Sequence, residues 1–212
     1  MHGNLQDYLD NYAHMKTAIL LSGGIDSIAL AFWKRSEVAY TVDYGQLSAS
    51  AEIRAASQVC AILQLHQEII KVDCASLGSG DMAGRAPSSM APVSEWWPFR
   101  NQFLLTVAAM KAVGDDVDQI LFGSVKTDAT HRDGSEDFFK QINNVLAIQE
   151  GTIKVVTPAI EMSSAELVKV SGIDISVLSW AHSCHVSEYA CGNCRGCFKH
   201  QQVMVELGYE AY

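Results

Sequence analysis

Five stretches of this chain gather residue types that do chemistry. The first is Leu21-Ser22-Gly23-Gly24-Ile25-Asp26-Ser27, placed directly after the apolar run Thr17–Leu21. Two adjacent glycines permit a tight bend where a strand passes into a helix. The first helical turn then aims several unpaired N–H groups outward, which makes an anion seat. Ser22 and Ser27 add hydroxyls, and Asp26 adds a carboxylate suited to holding magnesium or capping the helix. No lysine lies in the stretch, so the Gly-x-x-x-x-Gly-Lys pattern is absent. The second stretch, Val42-Asp43-Tyr44-Gly45-Gln46 with Glu52 beyond it, puts Asp43 and Gln46 at the next strand end, beside whatever the first loop holds. In the third, Trp96-Trp97-Pro98-Phe99-Arg100-Asn101, the arginine can pair bidentately with a phosphate or carboxylate, and the proline fixes a helix start.

The fourth stretch runs from Phe122 to Gly134 and holds Lys126, Asp128, His131, Arg132 and Asp133 in a loop of unusual polarity for this chain. Asp128 or Asp133 suits the N–H edge of a heterocycle or a metal ion, and Lys126 suits a carboxylate. The fifth is the cysteine array Cys184, Cys191, Cys194 and Cys197, spaced C-x6-C-x2-C-x2-C with Gly192 and Gly196 in the knuckles. Four thiolates make a closed tetrahedral zinc site of the structural kind, with an iron–sulfur cluster as the rival reading. His182, His185 and His200 flank the array without being needed as ligands. Cys60 and Cys74 read as small buried apolar residues.

The elements that must position these residues alternate. Strands are predicted over Thr17–Leu21, Val38–Asp43, Glu68–Val72, Gln119–Phe122 and Thr152–Val156. Helices are predicted over Ser27–Arg35, Ser48–Leu65, Phe99–Val113 and Ser135–Gln149. A further helix opens with the capping box Ser163/Glu166, runs to about Val170 and is stopped by Gly172. Such alternation predicts an α/β fold: a Rossmann-like parallel five-stranded sheet, helices on both faces, ligands at the carboxyl ends of the strands, and a C-terminal zinc knuckle. The chain divides on this reading into an α/β domain over 1–178, including an N-terminal amphipathic helix with Leu5, Tyr8, Leu9 and Tyr12, and a zinc-binding region over 179–212. Cys74–Pro98, broken by glycines and prolines, reads as a lid or binding loop.

Composition limits the function. With 49% hydrophobic and 18% charged residues in 212, a sizeable core is available. A formal charge of −9 argues against a nucleic-acid partner. There is no apolar run of the roughly 18 residues a bilayer span needs, and no export signal is read, so a reducing cytoplasmic setting is expected.

The string SGGIDS resembles the pyrophosphate loop of the PP-loop ATPases, which split ATP between the α and β phosphates. Taken with DYGQ and Glu52, the PxRN element, the G-x4-D loop and the cysteine knuckle, in this order, the chain from about Thr17 to Gly208 resembles the 7-cyano-7-deazaguanine synthase (QueC) family. The resemblance implies an ATP-dependent ligase that adenylates 7-carboxy-7-deazaguanine, captures ammonia as the amide, and adenylates again to reach the nitrile. It also implies magnesium, structural zinc and a homodimer. By the same likeness Leu21, Ser22, Gly23, Gly24, Asp26 and Ser27 bind the ATP phosphates, with Asp43 and Gln46 beside the nucleotide. Arg100 and Asn101 face the substrate carboxylate or α-phosphate, Lys126, Asp128 and Asp133 line the substrate pocket, and Asp26, Arg100, Asp128 and Asp133 carry the catalysis. Three departures lie around the pocket: Phe99 in place of the family's glycine, a substrate loop one residue shorter, and His200 in place of an arginine. They leave open a conjugating enzyme of the kind found in bacterial antiviral defence operons, which would join the deazaguanine to a protein amine. An inactive deazaguanine or ATP sensor is the remaining reading.

Overall fold

The computed structural model describes residues 15–209; the expected N-terminal helix around Leu5–Tyr12 lies outside them. Five strands form one parallel sheet: β1 (Thr17–Leu20), β2 (Val38–Asp43), β3 (His66–Lys71), β4 (Gln119–Leu121) and β5 (Lys154–Val156), in the order β3-β2-β1-β4-β5. Ala18 stands in register with Val38 on one side and Ile120 on the other. After β3 the chain crosses to the far side of β1, so the loops leaving β1 and β4 diverge and open a crevice at the carboxyl edge.

Alternation along the central strands explains the layering. Ala18, Leu20, Val38, Tyr40 and Val42 face one side and pack on Leu105 and Ala108 of α3 (Arg100–Gly114) and on Phe139 and Ile142 of α4 (Glu136–Ala147). Ile19, Leu21 and Ala39 face the other side and meet Ile28 and Leu30 of α1 (Ile25–Lys34) and Val59 of α2 (Ala49–Leu63). A strand buried on both faces accounts for the continuous apolar run of β1. A third cluster joins Ile25 and Ala29 of α1 to Leu167 of α5 (Ser164–Ser171), Leu178 of α6 (Ile175–Leu178) and Val203 and Met204 of α7 (Arg195–Glu206). No described helix is long and apolar enough to cross a membrane.

The expected elements are present, with shifted ends. The helix after the glycine pair starts at Ile25 rather than Ser27, because Gly24 is already its extended N-cap. β3 starts at His66, two residues before the predicted Glu68. The capping box at Ser163 forms as expected, with Glu166 N–H donating to Ser163 Oγ at 3.1 Å and Ser163 N–H donating to Glu166 at 2.7 Å. Helices α6 and α7 are absent from the sequence reading.

Candidate active site and metal centre

The turn from β1 into α1 is built from backbone constraints. Gly23 takes φ +80°, and a Cβ there would stand 2.6 Å from the carbonyl oxygen of Glu52. That carbonyl lies on α2, so only glycine lets the two segments meet. Gly24 caps α1 without a side-chain hydrogen bond, which leaves first-turn N–H groups for a ligand. Ser22 and Ser27 stand hydroxyl to hydroxyl at 3.1 Å, and Ser27 Oγ donates to Gly24 O at 2.9 Å. Leu21 is fully buried and donates its N–H to Tyr40 O, fixing the end of β1. On the other side Gly123, just past β4, approaches so closely that an added Cβ would lie 3.3 Å from Ser27 Cα.

A cleft of about 830 Å³ opens here, lined among others by Ser22, Asp26, Ser27, Arg100, Asn101 and Asp128. Lys126 reaches its rim from an exposed position. Arg100 begins α3, its guanidinium 3.0 Å from Met82 Sδ and 3.4 Å from Asn101 Oδ1. Four predicted residues stand back from the cleft, Gly23 of the turn itself and three others. Asp133 accepts the Asn101 N–H at 3.3 Å through its carboxylate and the Asn101 side chain at 2.9 Å through its carbonyl, so it anchors the start of α3. Gln46 is buried and spends its amide on Tyr44 N–H, Val42 O and Glu52. Asp43 accepts the Gly45 N–H of its own turn at 3.2 Å. The residue that Gln46 supports, Glu52, does line the cleft, and burial pushes its carboxyl above the usual range although Ser48 and Gln46 both donate to it.

Asp26 does not cap its helix. It sits one residue inside α1 with its side chain 14% exposed, and Oδ2 lies 2.7 Å from Lys199 Nζ. The same ammonium is 3.0 Å from Asp128 Oδ1, so one lysine ties the β1 loop to the β4 loop. Burial raises the Asp26 carboxyl above its usual value against the pull of Lys199. Asp26 Oδ1 is buried and makes no hydrogen bond of ordinary geometry, although the Ser164 hydroxyl is close enough to pull the carboxyl's value down. Lys199 comes from α7, and the sequence reading missed it because nothing in its neighbourhood marks it as facing a loop 71 residues away. Glu95 was missed as well. It is 5% exposed, lines the cleft from the 74–98 loop, and meets Arg195 Nε at 3.3 Å and His131 Nε2 at 3.7 Å. Burial pushes its carboxyl up, but the His131 and Arg195 partners outweigh this and hold it below the usual range. The 74–98 loop thus contributes to the site as a folded wall: Trp97 is buried edge-on against Tyr44 at 5.0 Å, and Asp81 N–H donates to Ser94 O at 2.9 Å.

The four predicted thiols converge. The sulfurs of Cys184, Cys191, Cys194 and Cys197 all lie within 4.8 Å of one another. Cys184–Cys194 and Cys191–Cys197 are each 3.9 Å apart, near the edge of about 3.8 Å that a tetrahedron with roughly 2.3 Å metal–sulfur bonds requires. Backbone N–H groups of His185, Asn193 and Cys197 point at these sulfurs at 3.4–3.5 Å, as thiolates need. Soft donors in this geometry fit zinc. Gly196 is required because a Cβ there would collide with Ser183 O. Two of the flanking histidines bond elsewhere, His182 Nε2 to Ser187 O at 3.0 Å and His200 Nδ1 to Ser183 Oγ at 3.1 Å, while His185 Nδ1 is buried without a hydrogen-bond partner.

A family model described as "Queuosine biosynthesis protein QueC" matches residues 16–208. A 7-cyano-7-deazaguanine synthase of Methanosarcina mazei is 30% identical over 92% of this chain and 95% of that one. Another, from Desulforudis audaxviator, is 34% identical over 86% of this chain and 93% of that one. A solved NMN synthetase from Francisella tularensis superposes with a TM-score of 0.47 at 15% identity, over 98% of this chain and 83% of that one. That likeness is too loose to add to the family result.

Proposed function

The chain belongs to the QueC family, and from that premise we propose that it is an ATP-dependent, AMP-forming carbon–nitrogen ligase acting on 7-carboxy-7-deazaguanine. The observation that carries the reading is the meeting, in one cleft, of an uncapped strand–glycine–helix turn and the guanidinium of Arg100. A carboxylate is a poor electrophile. Its oxygen attacks the α-phosphorus of ATP, the bond to the bridging oxygen breaks, and pyrophosphate leaves with the electron pair. Ammonia then adds to the acyl carbon and AMP departs, giving the amide and releasing a proton. A second adenylation, on the amide oxygen, lets AMP leave with loss of both N–H protons, and the nitrile results.

In this scheme the α1 N–H groups, Ser22 and Ser27 bind phosphate oxygens, and Arg100 neutralises charge on the carboxylate or the α-phosphate. Asn101 and Asp133 position Arg100 by fixing the start of α3. Asp26, with one buried oxygen short of a full hydrogen bond, and Asp128 would hold magnesium, which screens phosphate charge when bound. The four cysteines would hold zinc, which fixes the fold around Cys184–Cys197. No covalent nucleophile is required.

The test is to incubate the protein with ATP, magnesium, ammonia and 7-carboxy-7-deazaguanine, and to follow AMP and product mass. AMP with nitrile is expected. AMP without nitrile, together with a mass gain on an added polypeptide, would identify a conjugating enzyme instead. An absence of AMP under every condition would overturn the reading.

A further inference from the structure

The β1–α1 loop holds no lysine, yet a lysine ammonium stands against it. Lys199 Nζ lies 2.7 Å from Asp26 and 3.0 Å from Asp128, the two carboxylates at the loop ends that flank the crevice, and its side chain lines the same cleft as Ser22, Ser27 and Arg100. We propose that Lys199 is the phosphate-binding cation of this site, delivered from outside the loop by α7 and aimed by Asp26 and Asp128. The inference rests on the adenylating reading above and adds a residue to it.

Three physical points carry it. An ammonium has three donors, and the two carboxylates engage two of them, which leaves one for a phosphate oxygen. The side chain is 32% exposed, so it is neither sealed in the core nor free to wander. Second, Asp26 and Asp128 carry two negative charges at a place built to receive an anion; a cation between them is what makes that place tolerable to a triphosphate. Third, Asp26 Oδ1 is buried and makes no hydrogen bond of ordinary geometry, although the Ser164 hydroxyl is close enough to favour the ionised carboxylate. An ion pair that served only to pin α7 would satisfy both oxygens, since a buried carboxylate oxygen left without a full hydrogen bond is costly. During adenylation Lys199 would meet charge gathering on the α-phosphate oxygens as the carboxylate oxygen arrives and pyrophosphate leaves.

The test uses the intact zinc-loaded protein and a nucleotide that cannot be split, α,β-methylene-ATP, with adenosine as a probe lacking phosphates. Lys199→Met is expected to weaken the analogue by about 10- to 100-fold, the range of one charge-assisted contact, while adenosine binds as in wild type. Lys199→Arg, which keeps the charge, should recover most of the loss. Equal analogue affinity in wild type and Lys199→Met would overturn the proposal, and so would a parallel loss of adenosine. A second variant separates direct binding from simple masking of the aspartates. If Lys199→Met with Asp128→Asn regains wild-type analogue affinity, the lysine only screens Asp26 and Asp128, and the proposal fails. If the double variant binds more weakly than Asp128→Asn alone, which by itself removes a residue placed at the magnesium, the proposal stands; if it binds no more weakly, the proposal fails. Because the probe needs no deazaguanine, a wild type that binds the analogue through Lys199 yet makes no AMP from 7-carboxy-7-deazaguanine would sink the substrate assignment and leave Lys199 in place. A wild type that binds no analogue would sink the lysine.

Discussion

At Gly23 the backbone sits at φ +80°, and a methyl group would stand 2.6 Å from the Glu52 carbonyl oxygen. Gly23→Ala therefore combines left-handed strain with a backbone clash, and should cost about 2 kcal/mol or more of stability. The collision would push α1 from α2, so AMP formation should fall at least about tenfold; wild-type urea melts and turnover for this variant would refute the tight turn. Phe99 gives the opposite case. It is the N-cap of α3 at φ +56°, its ring 75% exposed, so the backbone bears a left-handed conformation that no packing repays. Phe99→Gly should raise stability by roughly 0.5–1 kcal/mol, measured in urea, and a loss would show that the ring does bind something. Residues of these two kinds differ in how far the sequence reveals them. Ser22–Ser27 and the four cysteines are legible because their meaning lies in short strings, glycines beside hydroxyls and thiols at knuckle spacing. Lys199 and Glu95 are not, because each acquires its role from partners far along the chain. Gln46 was legible as polar but not as spent: its amide is consumed in holding Glu52 and the Tyr44 turn.

Among the elements, α7 shows why periodicity can fail. Its buried positions are Gly196, Cys197, His200, Val203 and Met204, which fall at helical spacing. Glycine, cysteine and histidine supply most of that stripe, so no apolar repeat announces the helix. The five strands and four long helices were readable because apolar residues recur along them, alanine foremost on the buried faces of α2 and α3. Boundaries slipped where the end is set by backbone geometry, as at Gly24. The structure also gives the cysteine array a task beyond holding its own loop. Cys194 is the N-cap of α7, its sulfur accepting the Cys197 N–H at 3.5 Å, and Lys199 lies two residues after Cys197. Metal bound at the four sulfurs would therefore anchor the turn that carries the lysine. Val203 and Met204 hold the far half of α7 in the core, so loss of metal should loosen its start and spare the sheet. Stripping zinc with a chelator is expected to lower affinity for α,β-methylene-ATP about as far as Lys199→Met does, with far-ultraviolet dichroism of the sheet retained. Undiminished affinity in protein shown by elemental analysis to be zinc-free would break the link between knuckle and cleft.

For the molecule as a whole, strand–helix alternation was enough to predict a parallel sheet with its site at the carboxyl edge, and the β3-β2-β1-β4-β5 order puts the crevice between the β1 and β4 loops. What alternation does not reveal is how the layers are locked at the other end of α3. There, about 20 Å along the helix from Arg100, Asp115 collects contacts from three segments. It accepts Tyr40 Oη of β2 at 2.9 Å and Lys111 Nζ of α3 at 2.6 Å through its carboxylate, and Lys16 Nζ, just before β1, at 2.6 Å through its carbonyl. Glu68 of β3 stands 3.8 Å from Lys111, the one further carboxylate in the group. The Lys111 hydrogen bond, aided by Tyr40 and opposed by burial, holds the Asp115 carboxyl below its ordinary value. The sign follows. Between the depressed native value and the unfolded one near 3.9, the unfolded chain binds more protons, so stability rises with pH across that window. The contribution is complete above about pH 5 and is lost as pH falls through the native value. Asp115→Asn keeps an acceptor for Tyr40 but cannot titrate or pair with Lys111 as an anion. At pH 6 the variant should be less stable than wild type by on the order of 1 kcal/mol in urea, and the gap should shrink as pH falls below about 4. AMP formation at pH 7 should stay within about twofold, because the group lies a helix length from Arg100. A gap independent of pH would mean that Asp115 acts here by shape and not by charge.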